Sequence, residues 1–433
     1  MRNSGDKMTR DGKATKYISF CLLTILLGFA AGGIVWVILQ IMQIGIGLIW
    51  TAFPTALGLG PGVLGVLLYN LIVCFIGALF IALGQKHYGR LPDTMEEVLG
   101  RVKKTGHYPY SNLHHIAIAA LFPLLFGGAL GPEAGLTGLV VGLCYWIGDN
   151  LKYRNEEITA LAEAGFAAVV GVIFGSPLFG IAHNLEPDDR SERYGQKIAG
   201  KRTRILIYCF GALGGMLAFL LLGKLTGRSA GLPRFGFHHA VGVDQWMWLL
   251  PLLAIGILFA LYYLTIEKLT RIAAGKLSGH PYICSFIAAA AVAVSGAFLP
   301  LTMFSGEHQL ETLIDSWQQT SPTVMILTAI VKLALVSFCI NFGWRGGSIF
   351  PIIFSGALLG YTFALIVGMD GAFAVAMLVS SMYAYIMRKP VAVVMILLLC
   401  FPVTYIFPIA VSAIIASKTP TPFGHRSGCS ANH

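Results

Sequence analysis

From Tyr17 to Gln85 the chain carries no Asp, Glu, Lys or Arg. A helix that crosses the hydrocarbon of a bilayer needs about 20 apolar residues. The charge-free run therefore holds two crossings, with PTALGLGPG (54–62) as the turn between them. It is too long for a cleaved signal segment, and no small-residue cleavage site leads into a polar start, so we expect it to be retained. The remaining composition agrees. Charged residues make up 12%, hydrophobic residues 56%, and mean hydropathy is +0.75. Soluble domains carry about 25% charged residues. A soluble globular, disordered or disulfide-scaffold protein is excluded on these grounds.

Further apolar runs follow at 113–130, 133–148, 158–173, 177–185, 205–223, 246–266, 278–300, 323–343, 349–369, 371–387 and 390–417. Several are too short to cross alone, and many are broken by Gly or Pro: Gly127-Gly128, Gly131-Pro132, Pro177, Gly346-Gly347, Pro351, Pro390. A helix interrupted at membrane depth survives only where its freed backbone is buried in protein or lines a polar cavity. The pattern is that of an all-α polytopic transporter or channel. The 51 glycines suit close helix packing in lipid.

The net charge of +10 has a topological explanation. The first 16 residues hold five Lys or Arg, 86–104 another five and 190–204 six, whereas 277–331 holds none. The positive-inside rule places the N-terminus, 86–112, 186–204 and 267–276 in the cytoplasm and 301–322 outside. The basic loop 224–244 comes out external and fits the rule less well. No nucleic-acid motif is present, so no nucleic-acid partner is expected. Eight cysteines are spread along the chain without CxxC or zinc spacing, and seven lie inside apolar runs, so no metal or cofactor is expected.

Three offsets suggest an internal repeat. Glu133 and Ile349 each follow a Gly-rich break and open an apolar run, 216 apart; Pro177 and Pro390 each start one, 213 apart; Gly89 in YGRLP and Gly306 in FSGEH are 217 apart. We therefore expect a cytoplasmic tail at 1–16, one membrane repeat at 17–223, a second at 246–417 and a short tail at 418–433. Matched broken segments in two halves point to a site near the bilayer midplane.

Glu133 is the only Asp, Glu, Lys or Arg between Ile116 and Gly148. A carboxylate at that depth costs several kcal/mol unless paired, hydrated or protonated, and intramembrane ionisable residues are functional by default. In GALGPEAGLTG it falls in the first turn of a helix, after Pro132, where unpaired amides and the helix dipole favour negative charge. A helix start that stabilises a carboxylate also stabilises a free anion. A Glu there would compete with the anion, block while ionised, and leave or take a proton when the anion wins. The plainer reading is a capping Glu beside water.

At these residues the chain resembles a known family. GGALGPEAGLTG resembles the glutamate motif of the CLC chloride channels and chloride/proton antiporters, and WRGGSIFPIIFSGALLG their Gly-Gly-Ile-Phe-x-Pro segment. FGSPLFGIAHNLE resembles the family's Phe-Asn-x-Pro-Leu-x-Gly helix, and HYGRLPDTMEEV sits where its Gly-Ser-Gly-Ile-Pro motif belongs. The resemblance covers roughly residues 17–420, in the right order. It implies an inverted-topology repeat of tilted, broken helices in a multi-pass cell-membrane protein. It also implies a homodimer with one pore per subunit, carrying chloride or a similar small anion, with protons as a second partner in an exchanger. Glu133 would be the gate. The anion would meet Glu133 and Ala134, Ser348, Ile349 and Phe350, and, from the cytoplasmic side, Gly89, Arg90 and Leu91. Fluoride exchange is the alternative within the family.

The chain departs from the family pattern in places. The serine of the first motif falls on Gly89, so no hydroxyl stands there. Arg90 would draw anions to the inner mouth or be a solvated loop arginine. The family's central tyrosine finds no match in SKTPTPF, where Phe423 is the one aromatic, and its cytoplasmic proton glutamate falls on Pro187, after Glu186. Lys332 and Arg345, near the second motif, need partners at depth. His183 is a proton relay or a packing histidine. The adjacent pairs His114-His115 and His238-His239 do not share a helix face, which argues against metal ligation. An intramembrane enzyme is the rival class, but neither HExxH nor GxSxG occurs, so we expect no enzyme.

Overall fold

In lipid a backbone amide has no water to bond, so apolar runs close their hydrogen bonds internally as helices. The computed structural model describes residues 4–58, 62–153, 155–186, 201–227, 234–235, 242–277 and 279–422. Its helices of eight residues or more are, in the first half, α1 Ser4–Gly47, α2 Val63–Tyr88, α3 Met95–Thr105, α4 Leu113–Leu125, α5 Glu133–Asn150, α6 Asn155–Ile173, α7 Pro177–Leu185 and α8 Lys201–Thr226. In the second half they are α9 Leu249–Gly275, α10 Pro281–Phe298, α11 Glu307–Ser316, α12 Pro322–Asn341, α13 Ile349–Val367, α14 Gly371–Met387, α15 Pro390–Leu397 and α16 Ile406–Lys418. Seven spans among the described residues are long and apolar enough to cross a membrane. The first continues from α1 through one π-helical turn to Ala56.

Three segments differ from the sequence reading. The run 390–417 divides into α15 and α16 across a turn containing Pro402. A carbonyl freed there, that of Cys400, accepts a 2.8 Å bond from the Phe235 amide. The polar stretches 86–112 and 301–322, to which the sequence reading assigned only a side of the membrane, contain α3 and α11. Helix α3 is started by a capping box. The Thr94 amide donates to Glu97 Oε2 at 2.8 Å, and the Glu97 amide donates to Thr94 Oγ1 at 3.3 Å.

The backbone repeats itself in detail. The residues after α4 and α12, Phe126 and Phe342, have φ/ψ of −95°/23° and −90°/17°. Gly127 and Gly343 follow at φ 91° and 100°, a region that favours glycine. The next amides, of Gly128 and Trp344, donate back to Pro123 and Cys339 at 2.8 and 2.9 Å. Later, Ser176 and Lys389 have φ/ψ of −127°/89° and −125°/81°, each ahead of the proline that opens α7 or α15.

The chain forms two compact units, and they do not follow the boundary between the halves. One comprises 1–37, 101–111 and 140–231; the other comprises 38–100, 112–139 and 232–433. Within the first, Gly28 and Gly32 of α1 meet Gly211 and Gly215 of α8 so closely that a β-carbon would overlap the facing carbonyl oxygens. This is the small-residue packing that lipid favours. There too, Tyr208 and Arg204 of α8 bond the carboxylate of Glu163 in α6. Within the second unit, α13 is the core helix. Its membrane-length window is 83% buried, against 33–50% for the other candidate spans, so α13 faces protein on nearly all sides.

Candidate functional site

The two Gly-rich breaks meet. Gly131 and Gly347 form an isolated antiparallel bridge, each amide donating to the other's carbonyl at 2.8 and 2.7 Å. An antiparallel bridge between equivalent positions of two turns with matching backbone requires a local two-fold axis between them. Two residues after each glycine a helix begins: α5 at Glu133 and α13 at Ile349. Both helix starts therefore open at one place.

Glu133 lies across that junction, 1% exposed. The Ile349 amide donates to Glu133 Oε1 at 2.8 Å, and the amides of Glu133 itself and of Phe350 also reach the carboxylate. These are the unpaired N–H groups of the first turns of the two helices, the donors a helix start leaves over. Oε2 is buried and has no hydrogen-bond partner among the described residues. A β-carbon at Gly131 or Gly347 would overlap the carboxylate, so only glycine fits on either side of it. Ala134 (1% exposed) and Phe350 (2%) line the buried side, and Ser348 is half-buried. Ser348 makes no side-chain cap.

The loop carrying Gly347 is anchored from the α3 side. Arg345 Nε donates to the Pro92 carbonyl at 2.9 Å, and its Nη2 pairs with Glu97 Oε2. Burial raises the Glu97 carboxyl, but Arg345 and the bonds with Thr94 outweigh that and hold it below the usual carboxylate range. Arg345 thus has the partner that its depth demands. So does Lys332, which is fully buried. Its Nζ shares three N–H groups among the carbonyls of Leu301, Thr302, Met303 and Phe304 at 3.0–3.3 Å. It also lies 4.8 Å from the centre of the Phe354 ring.

The predicted residues divide accordingly. Glu133, Ala134, Ile349 and Phe350 come together, with Ser348 beside them. Gly89 and Arg90 are exposed at the end of α2, and Leu91 is half-buried. The turn reaches the junction through its next residue, since Pro92 accepts from Arg345 and borders Gly135 in the first turn of α5. Pro187, His238, His239 and Phe423 lie outside the described residues. Sequence reasoning named Gly131 and Gly347 as breaks in the apolar runs but not as site residues, although the offset between Glu133 and Ile349 already paired them. For the Glu97–Arg345 pair the sequence showed that Arg345 needs a partner, but nothing beyond Thr-x-x-Glu at a helix start pointed to Glu97.

Comparison with known proteins bears on this arrangement. The family model "Voltage gated chloride channel" matches residues 71–420. The "Putative ion-transport protein YfeO" of Shigella flexneri is 25% identical over 358 residues, covering 80% of this chain and 79% of its own; the Escherichia coli K12 protein of that name matches equally. Among solved structures, a slow cyanobacterial Cl−/H+ antiporter superposes with a TM-score of 0.78 at 15% identity, covering 92% of this chain and 93% of its own. A CLC-type fluoride/proton antiporter superposes with 0.74 at 17% identity, covering 94% and 96%. This chain is a multi-pass membrane protein with the CLC fold and belongs to the voltage gated chloride channel family, a family of anion transport proteins.

Proposed function

We propose that the protein carries chloride or a similar small anion through the junction of α5 and α13, with Glu133 as its gate. One observation carries this reading: the amides of two helix starts hold the Glu133 carboxylate at a buried point with no cationic side chain bonded to it among the described residues. Neutral amides with partial positive charge suit transport, because binding must be strong enough to admit an ion and weak enough to release it. The anion takes the carboxylate's place on the Ile349 and Phe350 amides, beside Ala134 and Ser348, when Glu133 turns away or accepts a proton. The Gly89–Leu91 turn, exposed at Gly89 and Arg90, is the approach from the cytoplasm, where Arg90 gathers anions. Residues 17–223 and 246–417 act as two membrane repeats, the N-terminus is cytoplasmic, and the working form is a homodimer.

Proton exchange is supported by the chemistry of a buried, displaceable carboxylic acid and by the antiporters that share the fold. Passive conduction is the second reading, favoured by Pro187 standing where the family carries a proton glutamate. Fluoride is the alternative ion. Reconstitution in liposomes tests all of this, with anion efflux and external pH recorded together for chloride and for fluoride. We expect wild-type efflux of at least one of the two and uphill proton movement driven by its gradient. In Glu133→Gln the anion should still move, with proton movement at background. A wild type with no anion efflux would overturn transport. Unaltered behaviour of the mutant would remove Glu133 from the gate, and efflux without protons in the wild type would select passive conduction.

A further inference from the structure

The far end of α13 borders a cavity that the junction does not use. The helix has 19 residues and is about 28 Å long, so the two ends are well apart. Beyond it Gly368 turns the chain at φ 77°, and Asp370 caps the start of α14. A cavity of about 330 Å³ opens there, between Val367–Asp370 on one side and Gln245, Met247 and Trp248, just ahead of α9, on the other. Trp317, in the stretch that the charge pattern places outside, stacks on Tyr361 of α13 with ring centres 4.8 Å apart. On that reading the cavity belongs to the outer face.

The residues around it supply hydrogen-bond acceptors. Asp370 Oδ1 takes two donors, the Phe373 amide at 2.7 Å and the Tyr405 hydroxyl at 2.9 Å. Among the described residues Oδ2 takes none, and no cation pairs with the carboxylate. The Gly368 and Met369 amides both return to the Ala364 carbonyl, and the carbonyls of Val367 and Gly368 receive no backbone donor among the described residues. They lie at the negative end of the α13 dipole. Gln245 Oε1 is buried without a hydrogen-bond partner. A buried acceptor left unpaired is unfavourable and calls for an explanation. A ligand that answers all of these groups carries positive charge and donors. One carboxylate and a few carbonyls fall short of the oxygen cage that calcium takes. The rest of the lining, the Trp248 ring and the Met247 thioether, suits an organic cation, because an aromatic face attracts ammonium groups. We infer that this cavity binds a small organic ammonium ion, with Asp370 as counter-ion, Gln245 as acceptor and Trp248 as the aromatic wall. The inference does not depend on the anion reading of the junction.

The test uses the purified full chain in detergent, titrated calorimetrically with ethylammonium gluconate and tetramethylammonium gluconate, with sodium gluconate as the reference. Wild type should bind at least one of the two organic ions and bind it more tightly than sodium. Asp370→Asn removes the charge but keeps an acceptor for the Phe373 amide and the Tyr405 hydroxyl. It should weaken binding about tenfold or more, as expected for loss of a charged partner. Its melting temperature without ligand should stay close to wild type. Gln245→Met, which leaves the α14 cap untouched, should weaken binding several-fold. If Asp370→Asn melts far below wild type, Gln245→Met decides by the same criterion. Absence of binding by wild type overturns the inference, as does sodium binding as tightly as the organic ions. So does wild-type affinity in Asp370→Asn or, where that variant is unstable, in Gln245→Met.

Discussion

The turns at 126–133 and 342–349 share a backbone and differ in what they carry. Both leave a helix through a left-handed glycine, bond back five residues and open a new helix two residues past the bridge. The first ends in Glu133, and its partner position is Ile349. In the helices before them, Ile116 in α4 matches Lys332 in α12 at the same offset. One half thus contributes the buried acid and the other the buried amine and the naked amide. Gly128 matches Trp344, and a β-carbon at Gly128 would overlap the Pro123 carbonyl oxygen and press on that indole at 3.1 Å. Ala129 matches Arg345, which ties its turn to α3. Near-two-fold geometry concentrates helix-start amides at one point. Asymmetric side chains let one ligand, the carboxylate, use them.

The sharpest way to break this comparison is to make the two halves alike. Lys332→Met should be the most damaging substitution. It leaves four carbonyls, two of them fully buried, without their donor, at a cost of about 3 kcal/mol or more, and should show as poor recovery and a large fall in melting temperature in detergent. Normal stability would mean that the amine is dispensable. Gly347→Ala should come next. Its methyl overlaps the Glu133 carboxylate, an overpacking of about 1–3 kcal/mol. Anion flux in liposomes should drop several-fold or change its pH dependence while the protein still folds. Gly131→Ala should do the same, and a difference between the two would measure how far the turns depart from symmetry.

The anchor on the second turn predicts a smaller, pH-dependent effect. The Glu97 carboxyl is held below its ordinary range in the folded state. Its contribution is present above the unfolded carboxylate value, about 4.3, and is lost as pH falls through the lowered folded value. Glu97→Gln should therefore cost about 1–2 kcal/mol near neutral pH, because the pair is only partly buried. It should also flatten the acid limb of the melting-temperature profile. An unchanged acid limb would show that the pair does not stabilise the fold. Smallest of all, Thr94→Ala removes one half of the capping box, and about 1 kcal/mol of helix stability is expected to go with it. Faster amide exchange confined to the start of α3 would show it.

Much of the fold was legible in the sequence because lipid simplifies the code. Charge-free runs of membrane length give the spans, and the Gly/Pro breaks give the half-helices. The boundaries at Glu133, Pro177, Ile349, Gly371 and Pro390 fall where the chain itself changes character. What was misjudged were polar stretches and one proline. Helices α3 and α11 carry too many charged residues for hydropathy to show, and the 390–417 run hides its break behind uniformly apolar residues.

At the site, the sequence determined the type of group. A lone carboxylate behind Gly-Pro, a second Gly-rich break in the other half of the chain and their shared offset are all one-dimensional facts. Which groups touch was decided by tertiary structure alone: Ile349 donating to Glu133, Arg345 reaching Glu97, and Lys332 gathering four carbonyls. The physical reason is that a helix start leaves amides free whatever its sequence. Their value as a binding site depends on where two such starts are brought together, and contacts between distant parts of the chain set that, not local preference.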